Sequence, residues 1–137
     1  MLQATEPHVL VVDDDECVRR MMTMVLEDAE CDVLEAADGA KALTILCSSP
    51  VRLVVLLDWM MPGMNGQDVL RVVKADHTLA TRHAYVLVTA NAEALTPQFK
   101  DLLRELSVPV ISKPFSIQGL IDTVDQQAPR ICGEMTA

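Results

Sequence analysis

Basic side chains are scarce in this sequence. Eleven Lys and Arg stand against twenty Asp and Glu, a formal net charge of -9. Gripping DNA or RNA by its phosphates needs a basic face, so the balance argues against direct nucleic-acid binding and suits binding a cation or docking on a basic partner. Long apolar runs are also missing. None approaches the roughly 18 residues of a membrane span, and residues 1–7 lack the charged-then-apolar order of a secretory leader. No membrane insertion is expected, and a cytoplasmic location is. The four cysteines, Cys17, Cys31, Cys47 and Cys132, contain no CxxC pair, which argues against a zinc or dithiol redox motif and predicts reduced, mostly packed thiols. Repeats and low-complexity segments are absent.

What is present is enough for one domain. Half of the 137 residues are hydrophobic, which supports one buried core but not comfortably two. Four short apolar runs, at 9–12, 53–57, 85–88 and 108–111, are rich in β-branched residues. Continuous rather than alternating apolarity means both faces are covered, the mark of a parallel sheet between helix layers. A weaker fifth strand at 32–36 carries charges that suit a sheet edge.

Between the strands run helical patterns. Val18, Met22, Val25, Leu26 and Ala29 make one stripe over 16–29, Ala40, Leu43 and Cys47 another over 39–47, and Val69, Leu70 and Val73 a third over 67–75. Thr96 and Pro97 open a fourth helix, with Phe99, Leu102, Leu103 and Leu106 inward. Ser116 caps a fifth, with Ile117, Leu120, Ile121 and Val124 inward, and Pro129 is expected to stop it. Five strands alternating with five helices make a doubly wound α/β domain.

Ligands of open α/β sheets bind just beyond the carboxyl ends of the strands. Those ends carry Asp13-Asp14-Asp15-Glu16, Asp58, Thr89-Ala90 and Ser112-Lys113-Pro114. Crowded carboxylates repel unless a cation binds or one of them takes a proton. With oxygen donors and neither Cys nor His among them, Mg²⁺ is the expected ion and Mn²⁺ its substitute, held by Asp13, Asp14 and Asp58. Thr89 and Lys113 are then free to contact a phosphoryl group, and Asp58 is the central nucleophile, forming an acyl phosphate. Taken singly, each residue has a plainer role: Asp14 or Asp15 as a helix cap, Asp58 as a turn acid, Thr89 as a satisfied hydroxyl, Lys113 as a surface lysine. Their joint placement at strand ends favours the chemical reading.

The stretches Val9-Leu10-Val11-Val12-Asp13-Asp14-Asp15, Arg19-Arg20, Leu57-Asp58-Trp59-Met60-Met61-Pro62-Gly63-Met64-Asn65-Gly66, Val88-Thr89-Ala90 and Lys113-Pro114-Phe115 together resemble the CheY-like receiver domain of two-component response regulators. The resemblance covers about 7–127. It implies a flavodoxin-like parallel sheet in the order 2-1-3-4-5, flanked by five helices. The chain then divides into an N-terminal extension at 1–7, a receiver domain at 8–128 and a loose C-terminal tail at 129–137. It further implies Asp58 as phosphoacceptor, Asp13, Asp14 and the Met60 backbone carbonyl as metal ligands, Thr89 as switch hydroxyl with Ala90 beside it, Lys113 as its phosphoryl-pairing partner, and a cis bond before Pro114. The donor would be a phosphohistidine on a sensor histidine kinase or a histidine phosphotransfer protein. The domain would catalyse only its own phosphorylation and dephosphorylation, and is otherwise not an enzyme.

Phosphorylation would bias the face made by the fourth helix, fifth strand and fifth helix toward a downstream protein target, with the chain a monomer or a phosphorylation-dependent dimer. That face departs from the family pattern, because Val110 occupies the position of the usual switch aromatic and Leu106-Ser107 replaces the usual Gly-Ala. Met60 and Asn91, two positions beyond Asp58 and Thr89, are expected to tune phosphoryl lifetime. Met22 reads as core, Met21 and Met24 as adaptable surface for a helical partner, and Arg19 and Arg20 as a solvated basic spot where kinase partners dock. Too few residues follow Pro129 for a DNA-binding helix-turn-helix, so output through protein contacts is expected. Three alternatives stand beside this reading. One is a receiver segment of a hybrid histidine kinase or multidomain regulator. Another is a haloacid-dehalogenase-type phosphatase using Asp13 and Asp15, for which a late acidic pair is wanting, since Asp122 and Asp125 fall within the fifth helix. The last is a flavin carrier, for which the acidic loop after the first strand is unsuited.

Overall fold

Alternate residues of the first strand go to opposite cores, and this organises the whole fold. In the computed structural model, which describes the backbone of residues 7–136 and side chains through residue 128, β1 (His8–Val12) sends Leu10 and Val12 to one hydrophobic cluster and Val9 and Val11 to the other. All four are essentially without solvent exposure. This two-sided burial is why the strand reads as an unbroken apolar run. Residues 1–6 of the expected N-terminal extension, and the side chains of the expected tail including Cys132, lie outside the described residues.

The elements follow in order: β1, α1 (Glu16–Asp28), β2 (Asp32–Ala36), α2 (Gly39–Ser48), β3 (Val54–Asp58), α3 (Gly66–Ala75), α4 (His77–Arg82), β4 (Ala84–Thr89), α5 (Pro97–Glu105), β5 (Val110–Ser112) and α6 (Ile117–Thr136). All strand pairings are parallel, and the sheet order is β2-β1-β3-β4-β5. Met22 and Leu26 of α1 and Leu120 and Val124 of α6 cover one face. Residues of α2, α3, α4 and α5, among them Leu46, Val69, Leu79 and Phe99, cover the other.

Local chemistry starts these helices where the sequence places them. Asp15 caps α1, accepting from the Cys17 and Val18 N–H groups. Asn65 and Asp68 form a reciprocal capping box on α3. Thr96 accepts from the Phe99 N–H at 3.1 Å, with Pro97 just inside the helix. Ser116 Oγ accepts from the Gly119 N–H at 2.8 Å.

Several expectations need correction. Among the described residues the helices number six, not five: α4 is a single six-residue segment capped by Asp76, and with Leu79 as its one buried residue it is too short to show a stripe. A 3₁₀ turn at Ala92–Ala94 also precedes α5. The helix expected to stop at Pro129 runs on as α6 to Thr136, so the tail is helical rather than loose over most of its length. An internal proline removes one ladder hydrogen bond, and the helix continues past that loss. The last strand begins at Val110 rather than at Val108: Val108 is buried against α5, while Val110 at the sheet edge is exposed. Of the described cysteines none is in a disulfide, but Cys17 and Cys47 are exposed and only Cys31 is packed.

Candidate functional site

Parallel register brings the chemistry to one edge. The loop after β1 supplies Asp13 and Asp14, β3 ends on Asp58 and β4 on Thr89, and Lys113 follows β5. Asp13 and Asp58 are buried, at 2% and 7% exposure, while Asp14 is open to solvent. One carboxylate oxygen from each of the three lies within 4.8 Å of the others. The donor set is all hard oxygen and two of its members are desolvated, so it fits a small divalent cation, and the exposed Asp14 leaves a side open to solvent.

Lys113 reaches into this group. Its Nζ donates to Asp13 Oδ2 at 3.1 Å and to Asp58 Oδ1 at 3.5 Å. Burial by itself would lower the ammonium pKa, but the hydrogen bond to Asp13 and the charges of Asp58 and Asp13 outweigh it, and the net shift is upward. Asp58 is pushed up to about 6, first by burial and then by the Asp13 charge, with Lys113 pulling the other way. Asp58 is thus the acid whose ionisation the fold penalises and a bound cation would relieve.

The backbone fixes the remaining members. The Lys113 N–H donates to the Thr89 carbonyl at 2.8 Å, tying the β4 and β5 ends together. Thr89 is fully buried, and its hydroxyl accepts from the Asn91 N–H at 3.1 Å. The Lys113–Pro114 peptide is cis. Ala90 and Asn91 are exposed at the rim, as is Met60, at 59%. Trp59 is half-buried, its ring 5.4 Å from that of Phe99 in α5. The loop after β3 then folds back, the Gly66 N–H donating to the Trp59 carbonyl at 3.0 Å. A Cβ on Gly66 would stand 2.6 Å from the Asp58 carbonyl oxygen, so only glycine fits there.

Two residues depart from what the sequence suggests. Arg19 is not a solvated spot: it donates to the Asp13 backbone carbonyl at 2.8 Å and to Glu35 at 2.9 Å. His83 is buried between β3 and α2, its Nδ1 accepting from the Leu53 N–H at 3.0 Å, so that its Nε2–H donates to the Leu46 carbonyl at 3.0 Å. The Arg19 contact ends on a main-chain carbonyl, and those of His83 join segments thirty or more residues apart. No spacing rule signals either. The phosphatase alternative loses its second acid, because Asp15 is turned into the α1 cap, and Asp122 and Asp125 lie exposed on α6.

This doubly wound sheet, with its acids and lysine at the carboxyl edge, is that of a signalling receiver, and comparison with known proteins gives the family. The profile of the response regulator receiver domain matches residues 9–125, and the chain belongs to that family. It is 36% identical over 126 residues to the chemotaxis protein CheY of Pseudomonas aeruginosa, covering 91% of this chain and 98% of that protein. It is 37% identical over 116 residues to the DNA-binding response regulator MtrA of Mycobacterium tuberculosis, covering 85% of this chain but only 48% of that one. A CheY-like receiver domain protein from Methanospirillum hungatei JF-1 superposes with a TM-score of 0.80 at 31% identity, over 94% of this chain and 99% of that structure. The chain is therefore a CheY-like receiver domain of two-component signalling. Among the described residues no helix is long and apolar enough to cross a membrane.

Proposed function

We propose that the chain accepts a phosphoryl group on Asp58 from a phosphohistidine of a sensor histidine kinase or histidine phosphotransfer protein, in a reaction dependent on Mg²⁺. The observation that carries this reading is the meeting of Asp13, Asp14 and Asp58 within 4.8 Å, with the Lys113 ammonium on two of them. Asp13, Asp14, Asp58 and the Met60 carbonyl would hold the ion. When bound, it supplies positive charge that lets the carboxylates and the phosphoryl oxygens approach one another.

The transfer itself is a displacement. An Asp58 carboxylate oxygen forms a bond to phosphorus as the phosphorus–nitrogen bond to the donor imidazole breaks. The bonding pair stays on the ring nitrogen, so the imidazole leaves. Lys113, released from Asp58, pairs with the transferred oxygens, and Thr89 turns its hydroxyl to another. The Lys113 N–H to Thr89 carbonyl bond means that movement at either strand end is felt by the other.

Output then passes to the α5–β5–α6 face. A cavity of about 650 Å³ opens there, lined by Leu95, Lys100, Leu103, Arg104 and Val110 among others. Val110, exposed at the sheet edge, adds apolar surface to this face that a protein target can cover. The exposed Met21 and Met24 of α1 and Ile117 of α6 offer apolar contact for the donor's helices.

The test is incubation with a small phosphodonor and Mg²⁺, comparing the natural chain with Asp58→Asn by intact mass. A gain of one phosphoryl group by the natural chain alone is the expected result. Equal labelling of both, or labelling of neither, rejects the proposal.

A further inference from the structure

Arg19 is the cation near the site that the proposed transfer leaves without a role. Its side chain is 14% exposed, against 62% for the adjacent Arg20. Its Nη1–H donates to the Asp13 carbonyl at 2.8 Å, and its Nε–H to Glu35 Oε1 at 2.9 Å. Glu35 sits on the edge strand β2 immediately before Ala36, whose carbonyl accepts the Asp13 N–H at 3.2 Å. One strand therefore holds the Asp13 backbone twice, directly and through the guanidinium.

The remaining polar atoms of Asp13 are also engaged. Oδ1 accepts the Asp15 N–H at 2.9 Å and Oδ2 accepts Lys113 at 3.1 Å. Of these four anchors, only Arg19 is a side chain reaching the backbone from outside the cluster of acids and lysine. A guanidinium suits the task, since its rigid planar fork spans two acceptors at a fixed angle, which an ammonium does not.

Resting on the reading of Asp13 as a metal ligand, we infer that Arg19 is a positioning residue. By clamping the Asp13 carbonyl to β2 it sets the direction of the Asp13 carboxylate, and so the affinity of the site for a divalent cation. Charge alone predicts the reverse. A fixed positive group repels the ion, so deleting it as a charge would tighten binding, whereas deleting it as a clamp weakens binding. Partners that orient metal ligands typically matter by about tenfold or more in affinity.

The experiment titrates the full chain with Mn²⁺, following the electron paramagnetic resonance signal of the free ion, with Mg²⁺ as competitor. It is run well below the unfolding midpoint of each variant as measured by circular dichroism. Arg19→Met is expected to weaken binding about tenfold, and Arg20→Met, which loses only an exposed 3.7 Å contact to Glu35, to leave it unchanged or slightly tighter. Arg19→Lys keeps the charge and loses the fork, and is expected to weaken binding about threefold; this variant decides the matter if Arg19→Met does not fold. Unchanged or tighter binding in Arg19→Lys or Arg19→Met overturns the inference while leaving the site reading intact. Failure of the natural chain to bind either ion rejects the site reading, and this inference falls with it.

Discussion

The Lys113 ammonium is held more closely by Asp13 than by Asp58, at 3.1 Å against 3.5 Å. The lysine thus competes with a cation for the very oxygens that would bind one. Replacing it with methionine leaves two buried carboxylates without their counter-charge, and breaking such a pair costs about 3 kcal/mol. Lys113→Met is expected to lower the unfolding free energy of the metal-free chain by that order while raising Mg²⁺ affinity roughly tenfold, as a competing positive charge is removed. Phosphorylation should nevertheless slow sharply, because the phosphoryl oxygens lose their partner. Calorimetric titration and urea unfolding in a chelator check the first two, and a fall in affinity would count against this geometry.

Asp58 ties stability to pH in the opposite sense to an ordinary salt-bridged acid. Its pKa rises from 3.8 to about 6 on folding. A carboxyl that holds its proton more tightly when folded favours the folded state at low pH. That advantage is lost as pH climbs from about 4 through 6, with no further change above. Two units correspond to about 3 kcal/mol. In a chelator at pH 7, Asp58→Asn is therefore expected to be more stable than the natural chain by up to about 3 kcal/mol, with the excess shrinking toward pH 4. An Asn variant equally stable or weaker at pH 7 removes the basis for a penalised Asp58.

Met60 tests whether water reaches the site past a side chain. It is exposed at the rim, two residues beyond Asp58. A thioether neither orients nor holds an attacking water, whereas a carboxamide does both. Met60→Asn is expected to lose its phosphoryl group several-fold faster while still accepting one, as followed by intact mass after removal of the donor. Identical decay would make Met60 a surface methionine and nothing more.

These predictions draw on residues of unequal visibility in the sequence. Asp13, Asp14, Asp58 and Lys113 were legible because chemistry-bearing side chains stand directly after apolar strands, and strand ends converge in a parallel sheet. The central strands were legible because burial on both faces leaves unbroken runs. What escaped depends on partners with no sequence signature. Arg19 binds a backbone carbonyl, which every residue has. Helix α4 offers one buried residue, too few to set a period. Val108 and Val110 look alike as letters, yet one packs under α5 and the other faces water at an edge.

Gly66 shows how tightly the loop after β3 is folded against the site. The Asp58 carbonyl oxygen and the Trp59 Cα crowd the position where a Cβ would stand, at 2.6 and 3.0 Å. Both neighbours are backbone, so neither can swing aside. Gly66→Ala is expected to destabilise the chain by about 1–3 kcal/mol and to displace the end of β3, lowering divalent-ion affinity as well. Unchanged urea midpoints and affinities would show that the loop yields without disturbing Asp58.

His83 closes the opposite end of the sheet and titrates with the other sign. Burial lowers its pKa below 6.5, helped by the nearby Arg82 and Arg52 charges and partly offset by the hydrogen bond to the Leu46 carbonyl. A base that is harder to protonate when folded lends stability above pH 6.5 and withdraws it as pH falls toward its depressed value. The acid limb opposes the Asp58 effect, so Asp58→Asn should expose it, with stability declining on acidification below about pH 6.5. Nitrogen-15 shifts of the imidazole give the direct check: a ring protonated at Nε2 alone, with a midpoint below 6.5. A midpoint at or above that value would mean that the ring is not buried as the structure has it.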